Sequence, residues 1–478
     1  MKKSKNKLHN GNFIFRFIIA LVLSVFLFLS LLIIPKYINK VVNKTTKISS
    51  YNILAQNFLG INGKKDILVL FMNNAEQRFG GGFIGSLGYL SIDKGKIKSD
   101  PVREVYYYDY LFDRVKFIEK SNDPTEGDVL YSLRDSGQSL DWPSNAKRAK
   151  KIFELESGKN VDNVIGVTPE VLKYLLRETG PVYLKDYELT VNENNITETI
   201  QQEVEFGEDK KRGKDPKTIL TSLVRVLMDR VANKNVNELT ELASGLEELI
   251  MSRQIMAYSS DYDSSEVLNR LKLDGSLVNS SADYFLMSER NQSIDKSNAF
   301  IDRSLIRNIK VSEDGSVEVD AKIIRNQTVP VSLPYIDPNV PGVLTNIIRK
   351  NISLIKIAVP KKSQIIDYEG STKLEYRGTE GGYDIYAFQS SLEPLVPSEY
   401  NFKYKLPFKV VGNENYQIDS YIQIANGGWP YELREEIEVP TNWKYVSSNK
   451  KVDIAGDKIR YNEKVNKDID LKFIYEKK

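Results

Sequence analysis

The sequence predicts a three-layer α/β domain, then an all-β sandwich region, behind an N-terminal transmembrane helix. Three observations carry this expectation. Residues 17–34, "FIIALVLSVFLFLSLLII", hold no charge. From 66 to 295, apolar runs of strand length alternate with stretches of helical period, the signature of strands layered with helices. From 296 to 478 the segments are short, alternating and Tyr-rich, set between Gly, Pro and Asn turns, as in a β-sandwich of one or two modules.

The elements follow in order. A charge-free run of about 18–20 residues suffices to span a bilayer as a helix. Lys2, Lys3, Lys5, Lys7 and Arg16 precede the run without an acid, the flank expected on the cytoplasmic side. No small-residue cleavage site follows, so the segment reads as a retained signal anchor in the cell membrane. The division is then 1–16 cytoplasmic tail, 17–35 transmembrane helix, 36–65 basic, Asn-rich, helical or loose stalk, 66–295 extracytoplasmic α/β domain and 296–478 β-sandwich region.

Composition narrows the chemistry. The net charge of +3 is too near balance to argue for a nucleic-acid partner. There is no cysteine, which excludes disulfides, thiolate metal sites and cysteine nucleophiles. The one histidine is His9, in the tail, so no imidazole base, Ser-His-Asp triad or histidine-ligated zinc can operate in the external part. Carboxylates, Arg, Lys, Tyr or an oxygen-ligated cation such as Mg²⁺ remain.

The run Asp66–Phe71 predicts a strand covered on both faces. Alternation through "FIGSLGYLSID" and the turn Asp93-Lys94-Gly95-Lys96 predict a hairpin. "VREVYYYDY", 102–110, reads as a third strand, and 111–140 as a polar surface excursion. Ser144 can cap a helix with Ala146, Ala149, Ile152 and Phe153 on one face, stopped by Gly158. "VDNVIGV" is a buried strand; Thr168-Pro169 opens a helix that Gly180 closes, and "PVYL" restarts a strand. A further helix begins at Asp215-Pro216 with Ile219, Leu223, Leu227 and Val231 inward, and "VNELTELASGLEELIM" adds another.

The most distinctive stretch is "NNAEQRFGGGFIG", 73–85. Gly80-x-Gly82-x-x-Gly85 fits the dinucleotide fingerprint formally, but a strand pattern follows where a helix is needed, and no Gly-Lys-Ser/Thr follows for a P-loop. Consecutive Gly80, Gly81 and Gly82 can expose backbone amides as an anion nest. Arg78 adds a planar donor for phosphate, Glu76 could pin it or bind a cation, and Asn73 and Asn74 can close the turn. The plainer alternative is a strand-to-strand bend with an Arg–Glu pair serving the fold. Asp109 is a carboxylate at an expected strand end. Asp141-Trp142-Pro143 is a helix-start turn with a packed Trp, or part of a basic rim with Lys147 and Arg148. "GEDKKRGKD", 207–215, is a solvated loop or a lid over an anion.

"ILVLFMNNAEQRFGGGFIGSLGYLSIDKGKI", the "DWPSNAKRAKKIFELESGKNVDNVIGVTPEVLKYLLRETGPV" stretch and "DKSNAFIDR" resemble the bacterial family catalogued as domain of unknown function 4012, over roughly 60–350. More distantly, the order of elements is similar to the LytR-CpsA-Psr enzymes, which transfer lipid-linked glycopolymers to the cell wall. That similarity implies an anchored extracellular α/β domain in which Arg78 holds a pyrophosphate, Asp109 matches a carboxylate, and Arg212 or Lys217 completes the anion site. Ser86 falls in the same substrate-binding set. Gly-Gly-Phe stands where those enzymes have an Arg-Ser-Asp type sequence, so one metal-binding carboxylate of that family is missing.

Two functions are therefore expected. One is phosphotransferase-like handling of polyprenyl-pyrophosphate-linked glycopolymer, with Mg²⁺ on Glu76 or Asp109. The other is a non-catalytic envelope protein, with a degenerate LytR-CpsA-Psr-like domain, that binds glycopolymer, peptidoglycan or a partner.

Overall fold

The computed structural model describes residues 44–100, 102–109, 117–120, 128–212, 218–293, 295–328, 350–412, 414–455 and 458–478. The expected transmembrane segment lies outside them. Among the described residues no helix is long and apolar enough to cross a membrane.

The first domain is built on one six-stranded sheet, ordered Ile255–Ser259, Asn163–Val167, Lys65–Asn73, Phe83–Asp93, Lys96–Ser99, with Arg103–Glu104 also paired to Phe83–Asp93. Lys65–Asn73 runs parallel to Asn163–Val167 and antiparallel to Phe83–Asp93. Its continuous apolar sequence is explained by cover on both sides. Ile67 and Val69 enter one core with Leu175, Leu223, Leu246 and Val267 from helices. Leu68, Leu70 and Met72 enter the opposite core with Trp142, Ala149 and Phe153. These are the three expected layers.

Local signals act as expected in most places. Helix Trp142–Ser157 ends at Gly158 in the left-handed region (φ 69°), and Gly180 closes Glu170–Thr179. The cap of the first of these is Asp141, which accepts from the Ser144 amide at 3.2 Å; Ser144 is the donor, not the cap. The turn at Lys94-Gly95 has both residues at positive φ (49° and 75°), the geometry of a tight hairpin.

Three segments differ from expectation. The expected stalk is helical over Lys44–Phe58, one of its two expected forms, but it packs into the first domain rather than standing off it, with Leu54 and Phe58 fully buried there and Asn57 bonded to Ser259 and Ser264. "VREVYYYDY" gives only the two-residue strand Arg103–Glu104, then a short helix Val105–Asp109. Val105 and Tyr108 are buried while Tyr106 and Tyr107 are exposed, a spacing of three that suits a helix rather than a strand. Val182–Leu184 pairs with Leu189–Val191 alone, as a separate hairpin beside the main sheet.

The rest is a β-sandwich of two seven-stranded sheets around one core, to which both sheets contribute. Strand Asp283–Asn291, on the α/β side of the 295/296 division, is the fourth strand of one sheet. It runs parallel to Asn415–Gln423, and Ile301–Val311 runs parallel to Tyr431–Glu438 in the facing sheet. Residues 283–409 and 415–477 thus build adjoining halves of both sheets, joined along a parallel seam.

That seam holds charge inside. Arg307 is fully buried and paired with Asp283 and with Glu435 at 2.5 Å, while Tyr404 bonds Asp283 at 3.1 Å. Burial pushes the Glu435 carboxyl up despite Arg307. One layer away, Glu289 takes Arg303 and Arg325 together; burial alone would raise it, but the two guanidiniums hold it below the usual carboxylate range.

Candidate functional site

The triple-glycine corner turns the chain from Lys65–Asn73 into Phe83–Asp93 and docks the sandwich. Several of its amides are engaged internally. Gly80 donates to Gly137 O at 3.1 Å, Gly81 to Arg78 O at 3.0 Å and Phe83 to Glu76 O at 2.9 Å. Two of the three glycine amides of the expected anion nest are therefore already taken. The glycines serve close approach instead: a Cβ on Gly80 would strike Asn145, and one on Gly82 the Asn73 backbone, with Gly82 at φ 138°.

Into this corner fits the sandwich turn "ANGGW", 425–429. Asn74 donates to Gly427 O at 3.2 Å, Trp429 Nε1 to Asn74 O at 3.1 Å, and Gln77 to Asn426 O at 3.3 Å. Gln254 donates to Gly428 O at 2.9 Å, and the Gly427 amide to Arg253 O at 2.8 Å. Buried Arg253 pairs with Asp468 at 3.0 Å. Gly427 sits at φ 57°, where a side chain would run into Gly81 O. Asn73 closes its own turn by accepting from the Ala75 amide at 3.1 Å.

Arg78 faces two ways. Its guanidinium donates to Glu76 at 2.8 Å and to Asn291 O at 3.1 Å, and lies 5.5 Å from the Phe83 ring. Burial raises the Glu76 carboxyl, with the Arg78 charge opposing. Arg78 also lines a cleft of about 490 Å³ between the two domains. The other cations on that wall are Arg148, Arg290, Lys356 and Arg377; the acids are Asp135 and Glu380.

These side chains are fixed from behind. Arg148 is held by Glu119 at 2.7 Å and by Ser136 O at 2.7 Å, across the Tyr131 ring. Arg290 donates to Gln138 at 2.9 Å, Lys356 lies 4.5 Å from the Phe79 ring, and Arg377 pairs with Glu375. Glu380 accepts from the Asp141 amide at 2.8 Å and from Ser139, tying the sandwich to the helix start. A paired guanidinium loses net field but keeps N–H donors for a second acceptor. The cleft is thus a preorganised donor surface with little excess charge.

The remaining candidates fall elsewhere. Asp109 accepts from the Leu133 amide at 2.9 Å and pairs with Arg134 at 3.2 Å; burial raises it, against those bonds. Glu76 and Asp109 belong to separate networks, each engaged by an arginine, and neither is on the cleft wall. Among the described residues no group of three or more His, Cys, Asp or Glu could hold a metal ion, and Glu76 and Asp109, the alternative Mg²⁺ ligands expected, are each paired with an arginine. Ser86 is in strand Phe83–Asp93, opposite Glu104. Arg212 is exposed and paired with Glu208 at 3.2 Å, and Lys217 lies outside the described residues.

Comparisons with known proteins bear on one wall of the cleft. Residues 62–204 match the family described as Protein of unknown function (DUF4012). The DUF4012 match includes the glycine corner, Arg78 and Arg148, and ends well before the sandwich, so Arg290, Lys356 and Arg377 are outside it. No curated protein matches the sequence. Among solved structures, protein gbs0355 from Streptococcus agalactiae is 13% identical, covering 44% of this chain and 73% of that one, with a TM-score of 0.28. An M1 zinc metallopeptidase from Deinococcus radiodurans is 9% identical, over 38% of this chain and 43% of that one, with a TM-score of 0.20. Scores this low carry no argument.

Sequence reading missed Arg290, Lys356 and Arg377. Alternation did mark Lys356 as outward, between buried Ile355 and Ile357. Nothing local says that this outer face meets the first domain.

Proposed function

We propose that the chain is a membrane-anchored binding protein of the bacterial cell envelope, whose interdomain cleft takes an anionic ligand without turning it over. One observation carries the reading: Arg78 and Arg148 from the first domain converge with Arg290, Lys356 and Arg377 from the second on a single cleft. At about 490 Å³ the cleft is in the range of small-ligand sites. The charge-free run 17–34 supports the anchor, and with it an extracytoplasmic body. Glycopolymer, lipid-linked or attached to peptidoglycan, supplies anions at such a surface.

Titration of the full chain in detergent with inorganic polyphosphate tests the reading. Binding should weaken with salt and fall at least about tenfold in Arg290→Glu/Lys356→Glu, equivalent to about 1.4 kcal/mol. Absence of binding, or equal binding by the variant, would overturn it.

A second reading is the LytR-CpsA-Psr-like phosphotransferase. In its favour Arg78 stands on the cleft wall, where it could hold phosphate oxygens. Against it, the Gly80 and Gly81 amides are already bonded and Glu76 and Asp109 sit in different networks. Mg²⁺-dependent turnover of a polyprenyl-pyrophosphate-linked sugar, lost in Arg78→Ala, would establish it over the binding reading.

A further inference from the structure

Arg78 connects the cleft to a run of aromatic rings outside its lining that the binding reading leaves without a role. Arg78 lies 5.5 Å from the Phe83 ring. Phe83 and Tyr106 have ring centroids 6.5 Å apart. Arg134 lies 5.4 Å from the Tyr106 ring, and Arg103 lies 4.8 Å from that of Tyr107. Tyr106 and Tyr107 are 52% and 57% exposed. Arg134 is held there by Asp109, which gives that buried carboxylate a positioning role. The short helix Val105–Asp109 is anchored by Val105 and Tyr108, so its two exposed rings are presented on a fixed base.

Rings beside guanidiniums suit a ligand that alternates apolar ring faces with negative groups. Two polymers do so: acidic polysaccharides and single-stranded nucleic acids. The charge pattern separates them. Nucleic acid carries a phosphate at every residue and calls for a basic groove. Here Asp135 and Glu380 are on the cleft wall, and Glu76, Glu119 and Glu375 stand behind its arginines. Carboxylates repel dense phosphate, yet they accept hydrogen bonds from hydroxyls, which sugars supply in number.

We infer that Phe83, Tyr106 and Tyr107, with Arg103 and Arg134, form a sugar-stacking extension of the cleft, and that the ligand is a sparsely charged acidic polysaccharide. The inference rests on the anion-binding reading of the cleft and names its ligand class. A polysaccharide chain would place an acidic group among the cleft donors and lay neighbouring pyranose faces on the rings.

The full chain in detergent is titrated with polygalacturonate, neutral dextran, inorganic polyphosphate and oligo-dT. Polygalacturonate should bind more tightly than the other three. Tyr106→Ala/Tyr107→Ala should weaken polygalacturonate about tenfold, the scale of one to two aromatic contacts, and leave polyphosphate unchanged. Tyr106→Phe/Tyr107→Phe keeps the rings and should bind like the parent, which separates stacking from misfolding. If polyphosphate binds but the tyrosine variants hold polygalacturonate normally, the stacking extension is overturned while the cleft reading stands. Tighter binding of oligo-dT would overturn the ligand class. If polyphosphate does not bind, the cleft reading falls and this inference falls with it.

Discussion

The arginines of the sandwich interior and those of the cleft look alike in sequence and do opposite work. Arg303, Arg307 and Arg325 alternate with apolar residues along their strands and point into the sandwich core. Every one is closed in by a carboxylate and further oxygens: Arg303 by Glu289 and the carbonyls of Ile301 and Asn298, Arg307 by Asp283, Glu435 and Ser420, Arg325 by Glu289, Asn351 and Ser390. Arg290 comes one residue after Glu289 on the same strand and takes the opposite face, onto the cleft. One step along a strand separates the carboxylate that receives two interior arginines from an arginine that can meet a ligand. Buried pairs of the first kind hold a register more than they add stability, because desolvation offsets most of their attraction.

The contrast is broken most severely at the seam. Arg307→Ala leaves Asp283 and Glu435 buried without their cation and should cost about 3–5 kcal/mol, read as a lower urea midpoint. Arg307→Ala that unfolds like the parent would mean the seam is held by apolar packing alone.

Glu156 sharpens the comparison, because it is buried charge without a partner. It is 7% exposed, and neither carboxylate oxygen is hydrogen-bonded to any of the described residues. Burial, then the nearby Asp109 charge, pushes it up to about 7 from an ordinary 4.5. The folded protein therefore holds this proton more tightly than the unfolded chain. Its contribution is full below pH 4.5, falls as pH rises to about 7, and is lost above. The swing should be about 2–3 kcal/mol, and Glu156→Gln should flatten it in denaturation curves taken across that window.

At the domain junction, Gly427→Ala forces a left-handed alanine against the Gly81 carbonyl. A loss of about 2 kcal/mol follows from strain and clash. The expected signature is two separated unfolding transitions, since the damaged contact joins the domains. A single shifted transition would show that the remaining contacts suffice.

The smallest stability effect belongs to the cleft. Arg290→Glu should change the unfolding free energy by no more than about 0.5 kcal/mol, as for most surface substitutions, while reducing polyphosphate binding. A large loss of stability would move Arg290 into the company of Arg307.

How much of this was legible in the sequence depends on the range of the forces involved. The strand at 65–73, the hairpin at Lys94-Gly95 and the helix ending at Gly158 follow from period, turn chemistry and a left-handed glycine, all set within a few residues. The segment 102–110 misled because three tyrosines have strand propensity, whereas burial of Val105 and Tyr108 on one side imposed a helical turn. At the corner, "NNAEQRFGGG" marked a place of close backbone approach. Whether an anion or a protein turn makes that approach is the same signal in sequence.

By itself, then, the sequence determined an α/β domain followed by a sandwich, a chemistry without thiols and with His9 as its single imidazole, and a glycine corner built for contact. Tertiary structure decided what the contact is, because the partner turn at 425–429 lies some 350 positions away in the chain, as the 353-residue separation of Asn74 and Gly427 shows. It also decided which arginines line a cleft. A strand's period assigns side chains to alternate faces, but only packing of one domain on another says which face keeps water and which loses it.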